Sequence, residues 1–171
     1  MDATLCGGGG PGEPGRRLGI HVRQRSNYES ERTRMSFSDY LEDKVLEHVF
    51  GGTAYTAPTT LYVGLFTSAG SDSAAGTELS GNGYARQSVA FTVSGTSPTT
   101  AASSGNVEFP QAQAAWGTVT HAGIFDASTS GNMLAHAQLT DPSDFTTALP
   151  KTVGTGDILR ISAGNLKVTL D

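Results

Sequence analysis

Cysteine is nearly missing: Cys6 is the single one in 171 residues. One cysteine cannot close a disulfide within the chain or build a thiolate zinc site, so stability must come from packing and self-association. Charge is also sparse, with 16% charged residues against about 25% in an average globular protein. Clustered cation is lacking in the body. The first 34 residues hold six arginines against four acids, a net +2, and the rest holds five cations against twelve acids, a net −7. An acidic body does not suit phosphate backbones, so nucleic acid is not an expected partner. No apolar run approaches the ~20 residues of a membrane helix, and the N-terminus has no apolar signal-peptide core. The expectation is a protein without membrane insertion that is made and assembled in the cytoplasm.

What is abundant is small and polar. The chain has 22 glycines, and serine, threonine and alanine take the place of the missing charge, a mix that suits a turn-rich β-protein. Residues 7–15 read GGGGPGEPG, a density of glycine and proline that neither helix nor strand tolerates. Residues 1–34 are therefore expected to be a disordered Gly/Pro/Arg-rich tail, with the alternative of a basic arm on an acidic partner. Met35 stands directly before a helix start, and Glu31–Arg34 could be translated ribosome-binding sequence. That leaves open a native start at Met35, which the intact mass of the natively expressed protein decides.

Residues 36–50, SFSDYLEDKVLEHVF, have helical periodicity, with Phe37, Leu41, Val45 and Val49 recurring every four residues and Tyr40, Leu46 and Phe50 widening the stripe. Ser36 and Asp39 make a capping-box-like start, and Gly51-Gly52 a stop. The helical unit is taken as 35–52 and the β-domain as 53–171. Beyond Gly52 the period changes to two. Leu61, Val63 and Leu65 share one face of a strand. Tyr84–Val93 forms another, Val107 and Phe109 a short one, and 118–139 a hairpin about Ser130-Gly131-Asn132. Residues 157–162 and 165–170 are expected to make a second hairpin about Ala163-Gly164. About seven short strands with no helices between them predict an all-β fold, an antiparallel β-sandwich or jelly-roll-like barrel. Two long polar loops, 67–83 and 94–106, interrupt it and are expected to make contacts or to move.

Candidate chemistry is thin. His121 and His136 fall on the two arms of one predicted hairpin, with Asp126 the nearest carboxylate, but they lack any metal-binding spacing such as HExxH. Asp141 and Asp144 could be a glycosidase pair, yet DPSD is ordinary turn composition. No G-x-S-x-G elbow and no phosphate-cradling loop occurs. Trp116, the lone tryptophan, is expected in the core. No catalytic, cofactor-binding or metal-binding residue is assigned.

Several segments, taken together, carry a resemblance: HVFGGTAYTAPTTLYVGLFTS (48–68), GNGYARQSVAF (81–91), VEFPQAQAAWGTVTHAGIFD (107–126), SGNMLAHAQL (130–139) and GDILRISAGNLKVTL (156–170). From Met35 to Asp171 the chain resembles phage tail fibre or minor tail proteins. The resemblance implies a non-enzymatic virion component without a cofactor, packed against other tail or capsid proteins. A homo-oligomer is expected, with a trimer as one form. A capsid decoration or cement protein is the alternative. A host-glycan-binding module is a further one, with Tyr55, Tyr62, Tyr84 and Trp116 as its candidate aromatics, and a depolymerase is the enzymatic one.

Overall fold

The computed structural model describes residues 36–96 and 98–170. The expectations for residues 1–34 lie outside these. The described chain starts as a two-residue strand, β1 (Ser36–Phe37), and turns directly into α1 (Asp39–Val49). The helix therefore begins later than the Ser36 start expected from the capping pattern. Ser36 and Phe37 are extended because they pair with His136 and Ala135, and the cap passes to Ser38, whose hydroxyl oxygen accepts from the Leu41 amide at 3.3 Å. Buried at the junction, Ser38 also donates its hydroxyl to the Met133 carbonyl. One serine thus joins helix to sheet. At the far end Gly52 takes a left-handed φ of 72°, the conformation that releases the chain from a helix.

The central strands are β2 (Leu61–Phe66), β8 (His121–Phe125) and β9 (Met133–Gln138). With β1 and β3 (Gln87–Val89) they make a five-stranded antiparallel sheet in the order β1-β9-β8-β2-β3. Alternation sorts its side chains. Val63, Leu65, Ala122 and Ile124 enter the main core, while Tyr62 packs with the buried Phe66, Phe125 and Met133 in a second cluster. The two central residues on that second face are glycines facing each other, Gly64 and Gly123. A Cβ on Gly64 would lie 2.9 Å from the Phe125 ring, and one on Gly123 2.9 Å from the Phe66 ring. Glycine here makes room for two stacked phenyl rings, whose centroids are 6.0 Å apart.

The rest of the chain supplies the opposing wall. The expected strand 84–93 breaks at Ala90: β3 stays in the five-stranded sheet, and β4 (Phe91–Ser94) pairs with β5 (Thr99–Ser103). The segment 94–106 is therefore not one loop. Its TTAAS stretch forms a strand although it lacks apolar alternation. The expected hairpin at the C-terminus is also replaced. β11 (Arg160–Ile161) pairs with β6 (Val107–Glu108), and β12 (Lys167–Leu170) pairs with β5. Residues 99–108 and 160–170 thus run antiparallel as one interrupted ribbon. The turn at 162–165 points its amides at that partner: Gly164 donates to the Ser103 carbonyl at 2.8 Å and Ala163 to Asn106 Oδ1 at 2.9 Å. A short pair unseen in the pattern, β7 (Gly117–Val119) with β10 (Lys151–Val153), closes one end. Val107, Phe109, Trp116, Val119, Val153 and Leu166 meet the inner face of the five-stranded sheet in one core. The architecture is all-β and antiparallel with one short helix.

Candidate functional site

Polar side chains with several partners are where chemistry would be sought, and the densest group lies on the second face of the five-stranded sheet. Arg86 has a side chain only 9% exposed and meets Glu78 through two hydrogen bonds of 2.7 Å. Its remaining Nη1 donates to the carbonyls of Ala127 and Ser130, and its guanidinium carbon lies 3.4 Å from the Phe125 ring centroid. The Tyr84 hydroxyl donates to Glu78 at 3.0 Å and accepts from the Leu65 amide at 2.8 Å. Burial, more than the Glu78 charge, pushes the Tyr84 phenol well above its ordinary pKa, so it stays protonated as a donor. Every contact ends on a loop, a turn or the sheet. The group pins the 67–83 segment and the 126–132 turn and leaves no free acid, base or nucleophile. In the sequence Arg86 falls within the expected strand Tyr84–Val93 with no role assigned to it. Its signal was its rarity, as one of five cations in the body.

The 67–83 segment is folded onto the body. Thr67 donates its amide to the Thr77 carbonyl and Leu79 to that of Leu65, and Leu79 joins the core. At its bend Asp72 accepts from the Asp39 amide at 3.0 Å and pairs with His136 Nε2 at 3.0 Å. His121 and His136 stay diagonal neighbours across β8 and β9, but Asp72, not a shared metal, is the partner of His136. His121 Nδ1 faces the Thr120 hydroxyl at 2.8 Å, and Asp126 binds Asn132. Burial and the neighbouring His136 lower the His121 pKa. Among the described residues no three His, Cys, Asp or Glu side chains converge as metal ligands.

Asp141 and Asp144 are turn residues. Asp141 accepts from the Ser143 amide and hydroxyl, and Asp144 from the amides of Thr146 and Thr147 and the Thr147 hydroxyl. The Thr146 amide, followed by Thr147, draws the Asp144 pKa down to about 2, and Ser143 lowers Asp141. A glycosidase acid needs a raised value, so both carboxylates are tuned the wrong way for that role.

The four candidate glycan aromatics do not form one exposed face. Trp116 is buried and donates its indole N–H to the Asn82 carbonyl at 3.0 Å, and Tyr84 stands edge-on to it at 5.6 Å. Tyr62 packs in the second cluster. Tyr55 alone remains at a recess, about 280 Å³ in volume, shared with Tyr40, Lys44, Glu47, Thr53 and Thr56. There the Tyr55 amide donates to His48 Nδ1 at 3.2 Å, and Lys44 binds Glu47 at 2.7 Å. Burial, with Tyr40 and Asp126 nearby, raises the Tyr55 pKa. Tyr40 was assigned to the helix stripe and not to a site.

The fold and these sites define a structural β-domain in which polar groups hold loops and turns in place. The chain belongs to the Podophage GP4 fiber I protein gp80 family, whose model matches residues 36–169. It is accordingly a tail-fibre-like structural protein of a tailed phage and a component of the virion. A comparison with curated proteins finds no match.

Proposed function

We propose that this chain is a non-enzymatic, tail-associated part of the particle that works by packing against other virion proteins, including copies of itself. The observation that carries this is the family match across nearly all the described residues, 36–169. The site geometry supports it: Glu78, Arg86, Asp141 and Asp144 are held in structural contacts. Quantitative mass spectrometry of purified particles tests the reading. Tens of copies per particle are expected of a tail part. Hundreds would assign the protein to capsid decoration, and absence would defeat both.

One observation favours a second reading, contact with a host glycan. Tyr40 and Tyr55 share an open recess with a Lys44–Glu47 pair, and aromatic faces beside paired charges suit a sugar ring. Binding on a glycan array that is lost with Tyr55→Ala would support it, and a blank array would remove it.

A further inference from the structure

The apolar stripe of α1 does not stay on one side. Leu41, Val45 and Val49 recur every four residues, whereas the helix turns in about 3.6 residues. Each step therefore rotates the stripe by about 40°. Phe37, Tyr40 and Leu41 face the body and pack against the core. One turn later the stripe has wound off the body. Val45, Leu46, Val49 and Phe50 are 41%, 58%, 60% and 82% exposed. The C-terminal half of the helix is held instead by the segment that follows it, with the Thr53 amide on the Glu47 carbonyl and the Tyr55 amide on the His48 ring Nδ1. The helix is thus glued to its own domain by one end and presents a separate apolar face at the other.

Four such side chains expose on the order of 400 Å² of apolar surface. That is about half of the roughly 800 Å² each partner gives to a standard interface. A flat two-fold pairing of this face with itself would fall short. It would also bring together two helices that each carry Asp39, Glu42, Asp43 and Glu47 against a single lysine. Area and charge both favour a concave, cationic partner.

We propose that the C-terminal half of α1 seats in a groove of a different virion protein, one with an apolar floor for Leu46, Val49 and Phe50 and a basic rim for Glu42 and Asp43. This is helix-in-groove recognition, and it rests on the reading of the chain as a virion component. The walls of such a groove reach the whole exposed arc from Val45 to Phe50, which a flat surface cannot.

Two measurements on phage particles test it. In the first, the phage carries Leu46→Gln together with Phe50→Gln. These positions are exposed, so the purified variant is expected to melt within a few degrees of the wild type. Its copy number in particles should fall more than about tenfold, as loss of central apolar anchors does. Incorporation at the wild-type level would overturn the proposal. In the second, Phe50→p-benzoylphenylalanine is photolysed in assembled particles. An adduct with a different virion protein, at a peptide flanked by Lys or Arg, is the expected product. An adduct of two copies of this chain, or with residues 1–35 of the same chain, would overturn it. Absence of the wild-type protein from particles would instead defeat the underlying functional reading, a result separate from either outcome for the variants.

Discussion

Arg86 shows how a residue without chemistry can still be indispensable. Its guanidinium satisfies Glu78, two turn carbonyls and the face of Phe125 at once. Arg86→Ala would leave Glu78, 26% exposed, without its cation, and would free the 126–132 turn. A cost of about 3 kcal/mol is expected, toward the low end for breaking a buried pair because Glu78 is partly solvated. Chemical denaturation of the purified variant checks it, and a loss within experimental error would mean that the turns hold themselves. Asp144 makes a prediction in pH. Its carboxyl titrates near 2 in the folded chain, below its ordinary 3.8, so the ionised form is the one folding favours. Its contribution is fully present above the ordinary value and fades as pH falls through about 2. An NMR titration of the Asp144 carboxyl carbon should find that midpoint, and Thr147→Val should raise it. A midpoint at the ordinary value would contradict the turn geometry. One single residue was legible in advance. Trp116 was expected in the core, because that follows from its size alone. Arg86 was not, since its partners are far along the chain: Glu78 comes from a presumed loop and Ala127 and Ser130 from a turn.

Among elements, the helix was the clearest in sequence, and its packing was the least. A period of four locates a helix well but says nothing about which part of a drifting stripe the body covers. The β8–β9 hairpin was legible because Ser130-Gly131-Asn132 separates two runs of alternating residues; 121–125 pair with 133–138, while Thr118 and Val119 of the expected arm pair with β10 instead. The C-terminal hairpin was misread for a related reason. Ala163-Gly164 does form a turn, but its flanking strands find partners in 99–108 rather than in each other. Turn chemistry is local, whereas the choice of strand partner is made by the core. β5 and β10 escaped notice because Thr99–Ser103 has no large apolar residue and Lys151–Val153 has one. The joint between helix and sheet rests on Ser38, which caps α1 and donates to Met133. Ser38→Ala should cost about 1–2 kcal/mol, the loss of a cap together with an orphaned carbonyl. Hydrogen exchange should then rise in the first turn of α1 before the central strands are affected. Uniform loss of protection across β2 and β8 would show that the helix is not a separately opening unit.

At the scale of the molecule, the acidic body and the scarcity of charge agree with a part that is assembled into a virion. The five-stranded sheet has hydrophobic clusters on both faces, so it is closed off as a scaffold, and its polar residues tie down the 67–83 segment. Among the described residues, the outward half of α1 and the recess beside Tyr55 are surfaces open for contact. The all-β class was readable from the change of period after Gly52 and from turn spacing. The surfaces were not, because exposure depends on which neighbours the fold supplies. Immunogold electron microscopy of intact particles, with antibody against residues 35–171, tests the central claim most directly. The account predicts label on the tail or its tip. Label spread over the head would contradict the tail assignment, and a particle free of both label and the protein's peptides would contradict a structural role altogether.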